Sequence, residues 1–336
     1  MPVSVAVPPR LTEVMSAAYV TGLGPPDRIQ VGELPVPVAG PTDVLVTVEV
    51  VAVDPVDTLI RSGAFPTLTP FPFIVGRDLA GTVSRPGPGA PFRPGDRVWC
   101  NSLGHDGRQG SFAGYAVVPA ARLYQLPAGA GPAVAVAVAH PAATAYLAWF
   151  VHARLRAGET VYVGGAGGNV GFAAVQLARG AGARILASAR PAGHWRCREA
   201  GAAVMVDYRD PDLTAALRAA ASGGIDVFWD TSGHHDLDLA ADVLAPGGRI
   251  LLTAGGAVRP ALPVGPLYTR DVSLHGFVIS RASASDLALG AGHINRMLAS
   301  GELAVQIAGE LPLAQTAEAH RRIEAGQVRG RLLLRP

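Results

Sequence analysis

The chain has 336 residues, 49% of them hydrophobic, which is enough apolar side-chain surface for two domains of ordinary size. Its formal charge is +2, with no Arg-rich run and no interleaving of basic and aromatic residues, so nucleic acid and anionic membranes are not implied partners. Two cysteines, Cys100 and Cys197, stand far apart and outside any paired motif, which excludes a disulfide framework and a cysteine-built zinc site.

All 28 basic residues are arginines, so any cationic clamp must be Arg or protonated His, and lysine chemistry is ruled out. No apolar stretch reads as long enough for a membrane span, and the N-terminus lacks a charged segment followed by an apolar signal core. The expected location is cytoplasmic.

Residues 1–14 carry three prolines and no periodicity and read as a loose extension, after which Met15–Val20 opens a first strand. From there to about residue 126 the segments are short and β-rich, as in Val44-Leu45-Val46-Thr47-Val48-Glu49-Val50, and are separated by turns such as Pro86-Gly87-Pro88-Gly89. A compact β domain follows from this pattern. Beyond residue 130 the rhythm changes to helix 132–153, strand 160–164, helix 169–181, strand 184–188, helix 193–200 and strand 204–206. Helix 211–221, strand 225–230, helix 236–244 and strand 248–254 continue it. Such alternation predicts right-handed βαβ units and a doubly wound parallel sheet, an α/β fold. The chain ends with helix 314–325 and a strand over Gly330–Leu334.

Within the alternating half, strand Thr160-Val161-Tyr162-Val163-Gly164 runs into a glycine-rich turn whose pattern is Ala166-x-Gly168-x-x-Gly171, and a helix opens at once. In that setting the motif reads as a dinucleotide site: small residues let the backbone approach a pyrophosphate, and the helix N-terminus attracts its charge. Ala166, Gly168, Asn169, Val170 and Gly171 are the expected cofactor residues. An NAD-selective site usually has an acid after the second strand to take the ribose hydroxyls. Here Arg184-Ile185-Leu186-Ala187-Ser188 runs into Ala189-Arg190 with no acid. Ser188 and Arg190, with Tyr208 and Arg196 as lesser candidates, suit a 2′-phosphate, so the expected cofactor is NADPH.

Val53-Asp54-Pro55-Val56-Asp57, Val75-Gly76-Arg77-Asp78-Leu79-Ala80-Gly81, Gly95-Asp96-Arg97-Val98, the glycine turn and the terminal Gly330-Arg331-Leu332 together resemble the zinc-independent quinone oxidoreductases. These belong to the medium-chain dehydrogenase/reductase superfamily and include zeta-crystallin. The resemblance implies a GroES-like catalytic domain over 15–136 and 272–336, with a Rossmann NADP-binding domain over 137–271 inserted between. It also implies hydride transfer from NADPH to a quinone or an alkene conjugated with a carbonyl, and a homodimer paired through the cofactor domains. Thr144 matches the segment lining the nicotinamide pocket in relatives, though packing in an Ala-rich helix also accounts for it, and Gly255 lies at the carboxyl edge of the sheet, where ligand is expected. Phe277 is placed either to close over the nicotinamide or to pack in the core.

The resemblance also marks departures. In zinc-dependent relatives the metal is held by a Cys, a His and a second Cys, and the matching positions here are Asp54, Arg77 and His140. Arginine cannot ligate zinc at ordinary pH, so no catalytic metal is expected. Zinc-free relatives usually have Asn at Asp54 and Tyr at Phe65, so a carboxylate is gained and a hydroxyl lost in the expected cleft. One reading brings Asp54, Arg77 and His140 together at the metal position, with Arg77 holding Asp54 ionised and His140, as imidazolium or through a water, supplying a proton. The other is structural: Asp54 caps a turn before Pro55, Arg77 pairs with it, and His140 precedes Pro141 at a helix start. His234-His235 reads as a solvated loop. Two further functions stay open beside the quinone or enone reductase, namely an enoyl-thioester reductase of polyketide or fatty-acid assembly and a non-catalytic NADPH-binding module.

Overall fold

The computed structural model describes residues 13–336, so the extension expected over 1–14 lies outside the described residues except at its end, where Val14 already opens the first strand, Val14–Val20. That strand pairs antiparallel with Gln30–Pro35 and with Phe73–Ile74. A seven-stranded mixed sheet is centred on one of its own members, Asp43–Val53, which pairs with Asp78–Pro86, Tyr115–Pro119 and the terminal Arg331–Arg335. Parallel to that last strand lies Ile307–Pro312, so the chain returns at its end to the sheet it began.

The second half builds a six-stranded sheet from Thr160–Gly164, Arg184–Ser188, Val204–Val206, Ile225–Asp230, Leu244–Leu252 and Ser273–Gly276, all parallel. Numbered by their own appearance, they lie in the order 3-2-1-4-5-6, so the order reverses between Thr160–Gly164 and Ile225–Asp230. Ligands of such sheets bind in the crevice outside the carboxyl ends at that reversal. Buried runs such as Val161–Gly164 reflect cover on both faces. The sheet extends past the boundary expected at residue 271, because Ser273–Gly276 is its sixth strand. A helix over Ala284–Ser300 was also not anticipated; Ser283 caps its start by accepting a bond from the Asp286 amide at 3.0 Å, and Gly301 (φ 73°) ends it.

The helix expected over 132–153 is α-helical over Pro132–Tyr146 and continues as a π-helical turn over Leu147–His152. Contrary to the sequence expectation, this 21-residue segment is long and apolar enough to cross a membrane, with a mean hydropathy of 1.6 over its most apolar 18 residues. Their apolarity has another cause here: the helix packs on the seven-stranded sheet and on the helices Asn169–Gly180 and Ala284–Ser300, and 72% of its most apolar stretch is buried. His140 sits on this helix, which brings it against the strands that carry Asp78 and Arg331.

Candidate functional site

Strand Thr160–Gly164 ends in Gly165, whose left-handed backbone (φ +70°) turns the chain into the helix Asn169–Gly180. Gly168 caps that helix without a side-chain bond, leaving its first N–H groups turned outward as an anion site. Gly171 is required by packing, since a Cβ there would lie 2.4 Å from the Gly165 carbonyl oxygen and 2.8 Å from Ala166 Cα. Gly171→Ala should therefore push helix from turn and weaken dinucleotide binding about tenfold, measured by quenching of nucleotide fluorescence. The Asn169 side chain is turned away from the turn and donates to the Gly330 carbonyl at 3.0 Å, tying the cofactor domain to the last strand beside Arg331.

Across the sheet, two loops meet at the carboxyl ends of Ile225–Asp230 and Leu244–Leu252. A Cβ on Gly255 would stand 2.3 Å from the Gly233 carbonyl oxygen, and Ala254 and His235 both hold left-handed backbone (φ 61° and 53°). Left-handed residues other than glycine are costly and gather at functional sites. His234 is exposed and bonded to Ser232, whereas His235, expected in solvent, is buried against Ala254.

At the ribose end the expected set divides. Ser188 is buried, and its hydroxyl is 2.7 Å from the Tyr162 hydroxyl, so it faces the sheet rather than a 2′-phosphate. Arg196 lies over the Phe172 ring at 3.7 Å and donates to Gln306, bracing the two domains. Arg190 and Tyr208 are both exposed and joined, guanidinium to hydroxyl at 3.1 Å, while Asp207, the nearby acid, is held by Arg209 at 2.8 Å.

Between the domains lies a buried charged cluster. Asp54 is the N-cap residue of the helix Pro55–Ser62, and its amide donates to Asp57 Oδ2 at 2.8 Å. Gly76 (φ +97°), packed on Phe112, delivers Arg77 and Asp78 to the start of their strand. Arg77 does not hold Asp54, which corrects that expectation; its Nη1 donates to Ser280 Oγ at 2.9 Å. The partner is Arg331, whose Nη1 reaches Asp54 Oδ1 at 2.6 Å and whose Nη2 reaches Asp78 Oδ2 at 3.4 Å. His140 Nδ1 lies 4.0 Å from Asp78 Oδ1. Sequence reasoning placed Asp78 and Arg331 only within family motifs. The available signal was an arginine opening the strand Arg331-Leu332-Leu333-Leu334, since a guanidinium buried among leucines needs a carboxylate partner.

Burial opposes ionisation of Asp54, but the Arg331 guanidinium outweighs it and holds the carboxyl below the usual range. Asp78 and Asp57 are pushed up by burial and by the charge on Asp54. Burial lowers His140 to about 4, against the pull of Asp54. The imidazole is thus neutral at neutral pH, and the imidazolium considered from sequence is disfavoured.

One ligand atom each from Asp54, Asp78 and His140 come within 4.8 Å of one another. Zinc bonds of about 2.0–2.2 Å place tetrahedral donors about 3.4 Å apart. The Asp78 to His140 separation is 4.0 Å, wider than that spacing, and the Arg331 guanidinium holds one oxygen of each carboxylate.

Thr144 donates its hydroxyl to the His140 carbonyl at 2.9 Å, one turn back on the helix. Phe65 is half-buried beside the His105 ring, and Phe277 stacks on His152 with centroids 4.4 Å apart. A cavity of about 620 Å³ is lined by Phe277, Leu147, Val151 and Arg281 but by neither Phe65 nor the charged cluster, so the two phenylalanines do not share it.

The model of the alcohol dehydrogenase GroES-like domain matches residues 40–128, and that of the zinc-binding dehydrogenases matches residues 169–289. Mouse quinone oxidoreductase is 29% identical over 331 residues, covering 96% of this chain and 98% of its own length. Among solved structures, an NAD-dependent alcohol dehydrogenase is 30% identical with a TM-score of 0.87, over 96% of this chain and 100% of that one. A mycobacterial protein complexed with NADPH is 27% identical with a TM-score of 0.83, over the same shares.

Proposed function

The chain belongs to the medium-chain dehydrogenase/reductase superfamily, and from that premise we propose that it reduces a quinone or an alkene conjugated with a carbonyl, with NADPH and without a metal. The observation that carries this reading is the Asp54, Asp78, Arg331 and His140 cluster at the position where zinc-dependent relatives hold their ion. It offers proton transfer in place of a Lewis acid.

Bound NADPH would supply the hydride to the β-carbon of the substrate. The glycine turn would take the pyrophosphate at the helix N-terminus, and Gly233 and Gly255 would let the backbone close on the nicotinamide side. Arg190 and Tyr208 would hold the 2′-phosphate, the first by a charged bond and the second by a hydroxyl. Reduction leaves an enolate, which needs a proton at its α-carbon or oxygen, and neutral His140 is the group placed to give one. Phe65 and Phe277 would keep the surroundings apolar. The outer edge of Ser273–Gly276 pairs with no strand among the described residues, which supports a homodimer joined there.

The test is NADPH oxidation, followed by absorbance, with a panel of quinones, enones and enoyl thioesters, beside NADPH binding followed by fluorescence. Turnover of quinones or enones is expected. Turnover confined to thioesters would move the reading to an assembly-line enoyl reductase, and tight binding with no turnover would leave a binding module. Arg190→Ala should weaken NADPH about tenfold while leaving NADH binding unchanged, because one charge-assisted bond to the extra phosphate is lost.

A further inference from the structure

The charged cluster has a feature that ion pairing leaves unexplained. Asp54, Asp57, Asp78, Arg77 and Arg331 are each at most 2% exposed. Three carboxylates facing two guanidiniums would leave one negative charge in a volume closed to water, a costly arrangement. Arg331 satisfies only one oxygen of each neighbour, Asp54 Oδ1 and Asp78 Oδ2. The other two, Asp54 Oδ2 and Asp78 Oδ1, are buried and have no donor among the described residues, and the same is true of His140 Nδ1. Two ionised carboxylates this close repel, and each unpaired buried oxygen carries its full desolvation cost. One added proton removes the excess charge and satisfies one of these oxygens.

We propose that Asp54 and Asp78 share one proton beside Arg331, and that this proton is passed through His140 to the reduced substrate. The inference rests on the reductase reading above and names the proton source of that same site. Its direction follows from exposure. Asp54, Asp78, Arg77 and Arg331 are sealed, whereas the His140 side chain keeps 12% exposure and is the member of the cluster that opens outward.

In the delivery step, the O–H bond on Asp78 breaks as an N–H bond forms at His140 Nδ1. At the same time the Nε2–H bond breaks, and its proton joins the enolate carbon or oxygen. The imidazole ends neutral in its other tautomer, and the carboxylate pair regains a proton from solvent. The separation of 4.0 Å between His140 Nδ1 and Asp78 Oδ1 is spanned by one water or by a small rotation of the ring on substrate binding. The groups facing the pair are Asp57 at the start of Pro55–Ser62, Arg77 just before the strand carrying Asp78, His140 on the long helix and Arg331 on the last strand. The separate environments of the two acids agree with this assignment, with Arg331 holding Asp54 down while burial and the Asp54 charge raise Asp78.

Asp54→Asn and Asp78→Asn keep side-chain shape and remove the shared acid. In the NADPH-bound protein at neutral pH, infrared spectra should show the carbonyl stretch of a protonated carboxylic acid, shifted in D2O and altered by either substitution. In turnover, Asp78→Asn should lower kcat about tenfold, with KM for NADPH unchanged, and should abolish the alkaline fall in kcat together with its solvent isotope effect. Unaltered NADPH binding by both variants serves as the check on folding. A wild-type protein with no protonated-acid band, a stoichiometric metal ion retained through dialysis, or an Asp78→Asn variant with the wild-type rate and pH profile would each overturn the proposal. Absence of any turnover with the band present would instead remove the reductase reading, and the delivery step with it.

Discussion

Replacing Arg331 with methionine is expected to destabilise the protein by about 3–5 kcal/mol, the cost of removing one partner from a buried ion pair. Methionine fills much of the same space, so the loss comes from electrostatics rather than from a cavity. Without the guanidinium, Asp54 and Asp78 face each other with no bonded counter-charge and are forced to bind additional protons. Urea unfolding at pH 7 measures the effect, and the same substitution in an Asp54→Asn, Asp78→Asn background should cost far less, because the stranded charges are gone. That difference is the coupling energy of the triad. A loss below about 1 kcal/mol in the otherwise wild-type chain would mean that solvent reaches the cluster and screens it. The substitution should also loosen the join between the domains, since the neighbouring Gly330 carbonyl receives the Asn169 side chain from the glycine turn.

Much of the architecture was legible because it is written in local pattern. The apolar runs Val161–Gly164 and Val227–Trp229, each followed by turn residues and a helix, specify a parallel sheet before any contact is known. What escaped was written weakly. Ser273-Leu274-His275-Gly276 is short and polar on one side, as an edge strand can be, and gives no apolar run. The helix Ala284–Ser300 contains Gly290 and Gly292, which lower helix propensity, and Gly290 is explained only by the Tyr146 ring packed against it.

The site shows the same division. The strand, turn and helix around the glycines could be read because they are consecutive, and Arg190 and Tyr208, which both follow strand ends, lie together at the surface. Ser188 illustrates the limit, since strand parity turned its hydroxyl inward to Tyr162 on the neighbouring strand. The Asp54 to Arg331 pair joins residues 277 positions apart, and no periodicity connects them. Their pairing depends on the last strand lying beside Asp43–Val53, a fact of tertiary structure.

A second large effect is expected at His320. Both of its ring nitrogens are buried without a hydrogen-bond partner among the described residues, and the ring meets Phe112 edge-on. Burial, with the nearby Arg61 guanidinium, lowers it from 6.5 to about 3. The folded state therefore keeps this histidine neutral through mild acid, while the unfolded chain takes up a proton below its own pKa. For a base with a lowered folded pKa, the contribution to stability is complete above 6.5 and is lost as the pH falls towards 3. His140, lowered to about 4, acts in the same direction. Asp57 and Asp78 act oppositely: their raised folded pKa values favour the fold most below the ordinary carboxyl range, and that contribution fades as pH rises through those values. Replacing His320 with leucine removes one proton from this balance without placing a polar group in the core. At pH 4.5 the variant should gain about 3 kcal/mol relative to its own difference from wild type at pH 7.5, since each tenfold difference in proton affinity between the folded and unfolded chain is worth about 1.4 kcal/mol. Reading the change between two pH values cancels any repacking around leucine. Parallel stability curves for the two proteins from pH 7.5 to 4.5 would show that His320 already bonds water or titrates in the folded state.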